Sequence, residues 1–352
     1  MGSEVTTEVA AEATHVRHWV LRRRPDGAPQ AQDVELVTAP LAPLGDGEVL
    51  VRNEYLSVEP YMQGRMSERV TYVEPYVLDE PLEGPAVGRV VESRAPEVPV
   101  GTWVRHDLGW RDLAIVAVAA LDVLDVADLP PESFLGVLGQ TGLTAYVGLL
   151  RIGALQPGET VFVSAAGGAV GSVVGQIARA MGCRVIGSVG STEKAARLEQ
   201  ELGFDAAFSY RDGPVRASLA AALERVGADG VDVYFDNVAG EQLECALRVM
   251  RHGGRIVLCG AISTYDATEP VPGPRNLIQA IWKRVRLEGF IVGDHADAAD
   301  EFARQMGQWL RDGSVRQEQT VFDGGIEDCW PAFAAMLAGD TKGKALIRVG
   351  GH

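Results

Sequence analysis

Between residues 159 and 260 one pattern recurs: a short β-branched run, a small-residue turn, then an amphipathic series. In ETVFVSAAGGAVGSVVGQIARAMG, Val161, Phe162 and Val163 lead into small residues and then into Val170, Val173, Val174, Ile177 and Met181 at helical spacing. CRVIGSV with EKAARLEQELG, AAFSY with VRASLAAALERVG, and VDVYFDNV with EQLECALRVMRHGG follow, and RIVLCG closes the series. Four βα units in succession predict an α/β domain with a parallel, doubly wound sheet, because each crossover helix returns the chain to the same edge. Gly203, Gly227 and the pair Gly253 and Gly254 stand past the expected helix ends, where a left-handed cap favours glycine.

Residues 33 to 129 read differently. VELVTA, GEVLVRNEYLSV, VGRVVES, GTWVRH and LAIVAVAA are short alternating or apolar runs cut by Pro and Gly, as in an all-β barrel or sandwich. After Gly293, the helical stretch DEFARQMGQWLRDG leads to VRQEQTVF, to a helix around Pro331 to Leu337, and to a terminal strand KALIRV expected to rejoin the β domain. The expected division is 1–137 for the first part of the β domain, 138–307 for the doubly wound domain and 308–352 for the return. A chain of 352 residues supports about two such domains without disulfides or metals.

A formal charge of −16 sets the mean field against nucleic acid and anionic membrane. The longest unbroken apolar run, Leu113 to Leu121, is far too short to span a bilayer. MGSEVTTEVAAEAT carries acids and no hydrophobic stretch, so it reads as a loose leader and not as a secretory signal. Cys183, Cys245, Cys259 and Cys329 show no C-x-x-C spacing and read as free, mostly buried thiols of a cytoplasmic protein.

AAGGAVG, after the first strand, aligns as A-x-G-x-x-G with Ala166 in place of the first glycine. Gly168 and Gly171 would allow close approach of a phosphate and tight helix packing, and the position ahead of four βα units points to a dinucleotide. At the tip of the second strand an NAD site uses a carboxylate to hold the ribose. VIGSVGSTEK offers Val189, Gly190 and Ser191 instead, with Lys194 one turn on. A carboxylate would repel a 2′-phosphate, whereas Ser191, the Lys194 ammonium and the Tyr210 hydroxyl can each donate a hydrogen bond to one. NADPH is therefore the expected cofactor. Only Lys194, Lys283, Lys342 and Lys344 among the 32 basic residues are lysines, which singles out the one in this loop. The plainer alternative is that Ser191 only caps the helix and Lys194 is a solvated charge.

A catalytic zinc needs three closely arranged ligands and a structural one usually four cysteines. The six histidines and four cysteines offer neither at ligand spacing, so no metal is expected, and the histidines, His106 included, read as surface or cap residues.

Seven ordered segments, NEYLSVEPYMQGRM, LGQTGLTAYVGLL, AAGGAVGSVVGQIA, GSTEK, YFDNVAG, CGAISTY and GDTKGKALIRV, carry a resemblance over nearly the whole chain. The chain resembles the zinc-free medium-chain dehydrogenase/reductase superfamily and, within it, the prostaglandin reductase and 2-alkenal reductase group. The resemblance implies a GroES-like β domain with a Rossmann domain, NADPH as cofactor, a cytoplasmic homodimer, and reduction of the carbon–carbon double bond of an enone or enal. Zinc enzymes of the superfamily carry Gly-His-Glu where this chain has GPAVGRV. Gln63 stands where the group usually has Arg, Gln140 replaces a Met and Thr341 an Asn, so the substrate pocket is expected to differ.

In a doubly wound sheet, ligands lie across the carboxyl ends of the strands: here Ala165/Ala166, Ser188 to Ser191, Ser209/Tyr210, Asp236/Asn237 and Cys259 to Tyr265. The resemblance implies cofactor contacts at Thr144, Gly168, Ala169, Val170, Gly190, Ser191, Lys194, Tyr210, Asn237, Cys259, Ser263, Phe290, Val292 and Thr341. It places Tyr265 on the nicotinamide side as a catalytic residue and turns Tyr55 of the β domain toward the substrate. Hydride delivery to the β-carbon of an enone leaves negative charge on the carbonyl oxygen, where a neutral donor is needed; a tyrosine stays protonated at neutral pH. Asp236 and Asn237 are equally well read as turn residues. EPVPGPRN, residues 269 to 276, is too proline-rich for regular structure and serves as a substrate lid or a plain connection. Two other functions fit parts of this pattern: an NADPH quinone reductase, and a non-catalytic NADPH-binding or sensing protein, which would need no aligned tyrosines.

Overall fold

The computed structural model describes residues 14–69 and 71–350; apart from Thr14, the acidic leader lies outside the described residues. The chain forms two compact units, the first comprising Met1–Leu135, Thr320–Thr341 and Ala345–His352, the second Gly136–Gln319 and Lys342–Lys344.

Among the described residues the first elements are β1 (His15–Leu21), β2 (Val34–Pro40), β3 (Glu48–Ser57), the short helix α1 (Tyr61–Arg65), β4 (Ala86–Ser93), β5 (Trp103–His106), β6 (Leu113–Ala117) and β7 (Asp122–Val123). The second unit holds α2 (Gln140–Tyr146), β8 (Thr160–Val163), α3 (Ala169–Ala180), β9 (Arg184–Val189), α4 (Thr192–Glu201), β10 (Ala206–Ser209), α5 (Val215–Arg225), β11 (Val231–Asp236), α6 (Gly240–Val249), β12 (Met250–Leu258), α7 (Ile278–Lys283), β13 (Arg286–Gly289) and α8 (Ala299–Asp312). β14 (Gln319–Phe322), α9 (Cys329–Ala338) and β15 (Lys344–Arg348) complete the chain.

In the first unit β1 and β2 form an antiparallel pair, and a larger sheet runs β14-β15-β3-β4-β5-β7 with β6 also paired to β3. Alternation along β3 explains its central place. Val49 and Val51 pack with Val90, Val104, Ala114 and Val116 on one side, while Leu50 packs with Leu44 and Leu113 on the other. Where β3 shifts register against β4, a Cβ on Gly88 would fall 2.2 Å from the Arg52 carbonyl oxygen, so the crossing admits only glycine.

The parallel sheet of the second unit runs β10-β9-β8-β11-β12-β13, the doubly wound arrangement expected from the βα series, with its switch point between β8 and β11. β8 is buried along its whole length, as a strand covered on both faces must be. Val161 and Val163 face the cluster containing Val173 and Ile177 of α3 and Phe302 of α8. Phe162, between them, faces Leu219 of α5 and Leu247 of α6.

Three local expectations are corrected. Gly203 and Gly227 do follow helices with positive φ, but Gly253 and Gly254 lie inside β12. Met250 pairs with Val231 and Arg255 with Val233, so residues 251–254 bulge opposite Asp232, and Gly253 takes φ 73° there. A sixth strand, β13, and its helix α7 extend the sheet beyond RIVLCG. His106 and His18 are buried and not on the surface, because each takes an inward position on its strand. Burial, reinforced by Arg111 and Arg105, pushes the His106 imidazole down to about 3.

Candidate cofactor and active site

After β8 the chain turns through Ala165, at φ 48°. The Ala166 amide donates to the Ser188 carbonyl at 3.0 Å, and the Gly168 amide to the Ala165 carbonyl at 3.0 Å. Gly168 then precedes α3 without a side-chain cap. Ala169, Val170 and Gly171 therefore open the helix with amides that no helical carbonyl accepts. A Cβ on Gly171 would lie 2.4 Å from the Ala165 carbonyl oxygen, so only glycine lets the helix cross the turn this closely. Bare first-turn amides on a glycine-lined turn fit the pyrophosphate of a dinucleotide. Residues 342–344 run along this loop: the Gly343 amide donates to the Gly167 carbonyl at 2.9 Å. Gly343 takes φ 61°, and a Cβ there would collide with the Glu318 carbonyl at 2.0 Å. Sequence reasoning matched GDTKGK to a family but missed this contact, which depends on chain segments far apart in sequence.

At the tip of β9, the Ser191 hydroxyl accepts the Lys194 amide at 3.2 Å, so Ser191 does cap α4. Its own O–H is left to donate, and the capping and ligand readings are compatible. The Tyr210 amide donates to the Val189 carbonyl at 3.0 Å. A Cβ on Gly190 would stand 3.4 Å from the Tyr210 hydroxyl and 3.8 Å from Cζ and Nε of Arg211. Arg211 was overlooked in the sequence, although a basic residue directly after Tyr210 was its signal. The nearby carboxylates are engaged: Glu193 pairs with Lys342 at 3.3 Å, and Asp212 accepts the Thr192 hydroxyl.

The ends of β8, β11 and β12 are tied together. Ser164 accepts the Asn237 amide at 2.9 Å through its hydroxyl and the Asn237 side-chain amide at 2.7 Å through its carbonyl. Asp236 Oδ1 accepts from Tyr234 at 2.7 Å, Ser164 at 3.2 Å, and the Val238 and Ala239 amides at 2.9 and 2.8 Å. Oδ2 has no partner among the described residues, and burial raises the carboxyl pKa. Ile262 and Ser263 donate their amides to Asn237 and Val238, both at 3.2 Å, and the Ser263 hydroxyl donates to Val238 at 2.5 Å. Tyr265 closes this turn. Burial pushes its hydroxyl above the ordinary value of 10, against a smaller opposing effect of the Ala261 backbone. Cys259, hydrogen-bonded through its amide to the Asp236 carbonyl at 2.9 Å, has its thiol pushed up to about 12 by burial.

Among the remaining expected cofactor residues, the Thr144 hydroxyl donates to the Gln140 carbonyl at 2.7 Å. Phe290 approaches Gly148, where a Cβ would meet its ring at 2.8 Å. Val292 opens a short helical segment, Val292–Ala298. Tyr55, Gln63 and Thr341 belong to the first unit, with Gln63 and Thr341 buried. Tyr55 lies opposite Arg348 on β15. The Arg348 guanidinium carbon is 5.6 Å from the ring centroid, and hydrogen bonding to Tyr55 helps raise the Arg348 pKa; Arg348 also pairs with Asp323 at 2.9 Å.

Residues 17–124 match the family described as the N-terminal domain of oxidoreductase, and residues 169–310 the family described as zinc-binding dehydrogenase. The chain is 43% identical to the putative NADP-dependent oxidoreductase YfmJ of Bacillus subtilis, over 94% of this chain and 96% of that protein. It is 40% identical to the NADPH-dependent curcumin reductase of Escherichia coli, over 95% and 97%. It is 38% identical to the NADP(+)-dependent 2-alkenal reductase of Nicotiana tabacum, over 96% and 99%. The chain belongs to the medium-chain dehydrogenase/reductase superfamily, in its prostaglandin reductase and 2-alkenal reductase group.

The fold of this medium-chain reductase agrees with that assignment. A crystal structure of CurA from Vibrio vulnificus in complex with NADPH superposes with a TM-score of 0.90 at 38% identity, covering 96% of this chain and 100% of that one. Although one family description mentions zinc, no group of three or more His, Cys, Asp or Glu among the described residues of this reductase could hold a metal ion.

Proposed function

We propose that this medium-chain reductase uses NADPH to saturate the carbon–carbon double bond of small α,β-unsaturated ketones and aldehydes. The observation that carries the reading is Tyr265: a hydroxyl kept protonated by burial, on a turn bonded to Asn237 and Val238 at the carboxyl end of β12. A dinucleotide lying across such strand ends brings its reactive half near the switch point. The relatives named for reducing curcumin and 2-alkenals support the same chemistry.

When bound, NADPH supplies a hydride to the β-carbon of the substrate. Ala169, Val170 and Gly171 would hold the pyrophosphate; Ser191, Lys194 and Tyr210 would hold the 2′-phosphate. Gly168 and Gly190 give the cofactor backbone clearance, and Thr144, Asn237, Cys259, Ser263, Phe290, Val292 and Thr341 complete the proposed lining. The Tyr265 O–H donates to the carbonyl oxygen as negative charge develops there, and the α-carbon then takes a proton from solvent or a nearby donor. The Tyr55 ring lies under the Arg348 guanidinium, whose carbon is 5.6 Å from the ring centroid, so Tyr265 is the first assignment for the donor and Tyr55 the second. NADPH oxidation followed against enals, cyclic enones and quinones tests the reading. Turnover of enals and enones supports it; oxidation by quinones alone would make the protein a quinone reductase, and no oxidation by any of them a binding protein.

We further propose that the protein is a homodimer joined through β13, the end strand of its parallel sheet. Beside that edge Leu277, Ile278, Ile281 and Trp282 are 50, 46, 71 and 61% exposed, a concentration of apolar surface that water disfavours. Arg286 and Glu288 alternate along the strand, so antiparallel pairing centred on Leu287 sets each Arg286 opposite the other copy's Glu288.

A further inference from the structure

We propose that Arg211 is a second cation of the 2′-phosphate subsite and a determinant of preference for NADPH over NADH; the inference rests on the NADPH reading above. The guanidinium and the Tyr210 hydroxyl converge on the bare Cα of Gly190, 3.8 and 3.4 Å from where a Cβ would be. This is the strand tip where an acidic residue would hold an unphosphorylated ribose. The backbone fixes the approach: the Tyr210 amide is bonded to Val189 on the neighbouring strand, and the Arg211 amide to the Ser209 hydroxyl at 3.3 Å. The guanidinium lies 5.8 Å from the Tyr210 ring centroid.

Charge points the same way. In a protein of net charge −16, most arginines of the second unit find a carboxylate, as Arg197, Arg225 and Arg255 do. Arg211 is exposed and forms no ion pair among the described residues. Its neighbour Asp212 is turned to the Thr192 hydroxyl, and Glu193 to Lys342. What remains facing the strand tip is a planar fork of N–H donors beside a phenol, with Lys194 on the adjoining helix. A guanidinium binds two oxygens of one phosphate at once, which an ammonium does not. The division of labour follows: Lys194 contributes charge from the first turn of α4, and Arg211 contributes geometry from the end of β10. NADH, with no oxygens at that position beyond the hydroxyl, gains nothing from the fork.

The test is titration of the full-length protein with NADPH and with NADH, read by cofactor fluorescence, for the parent, Arg211→Ala, Arg211→Lys and Lys194→Ala. Arg211→Ala is expected to narrow the NADPH-to-NADH affinity ratio by about tenfold, a charged hydrogen-bonded contact being worth that much or more. Arg211→Lys should fall between parent and Arg211→Ala, because it keeps the charge and loses the fork. A parent that prefers NADPH together with an Arg211→Ala variant of unchanged ratio overturns the role of Arg211 and leaves the cofactor reading standing. Equal weakening of both cofactors likewise overturns it, by making Arg211 a structural residue. A parent without preference overturns the cofactor reading itself and Arg211 with it.

Discussion

Ala239 takes φ 64° and ψ −149° at the start of α6, a conformation that a Cβ makes costly. The four bonds converging on Asp236 Oδ1 hold it there, two of them from the Val238 and Ala239 amides. Ala239→Gly should therefore raise stability by about 1 kcal/mol, the relieved strain exceeding the entropy a glycine adds to the unfolded chain; a lower denaturation midpoint would contradict this. Nothing in VYFDNVAG announces that strain, because φ there is set by the buried carboxylate. At the strand tip the residue types can be read directly, a missing acid, a serine, a lysine and a basic residue after Tyr210, whereas the approach of Arg211 to Gly190 required the geometry. Burial raises the Tyr265 hydroxyl pKa above the ordinary value of 10, so any alkaline fall in turnover attributable to this group should have its midpoint above pH 10. Tyr265→Phe keeps the ring and loses the donor, and should lower kcat about 100-fold to 1,000-fold with NADPH affinity retained. Parental turnover with reduced thermal stability would assign the hydroxyl to packing.

Among elements, the βα series could be read because a buried parallel strand and an amphipathic helix have different periods, and β8 to β12 alternate with α3 to α6 without interruption. β13 could not: RLEG has only four residues, with a single apolar side chain between two charges, and pairs with β12 only because the preceding helix delivers it there. Gly253 and Gly254 misled for a related reason. A glycine after a helical pattern fits a cap or a bulge equally, and only pairing on both sides of Asp232 separates them. The turn from β8 to α3 is the element on which the cofactor reading leans most. Gly171→Ala would place a methyl 2.4 Å from the Ala165 carbonyl oxygen and should cost about 1–3 kcal/mol, as overpacking does, while weakening both NADPH and NADH. A variant as stable as the parent, with unchanged affinity, would show that the turn can relax and that its closeness is not needed.

For the molecule as a whole, the two units set different expectations. In the first, His106 is buried neutral, with its imidazole near 3 instead of 6.5. The unfolded chain takes up a proton that the folded one refuses, so stability falls as pH drops from about 6.5 toward 3. His106→Asn should flatten that slope in acid denaturation; an unchanged slope would place the sensitivity elsewhere. In the second, the exposed Ile281 and Trp282 should be covered by another copy. Trp282→Glu should yield monomers in sedimentation velocity where the parent gives dimers, and a monomeric parent would remove that proposal. The central claim, however, concerns which carbon the reductase attacks. The direct measurement is product analysis after reduction of 2-hexenal with NADPH carrying deuterium at both C4 positions. The account predicts hexanal with one deuterium on C3. Deuterium on C1, in an unsaturated alcohol, would show reduction of the carbonyl and contradict it.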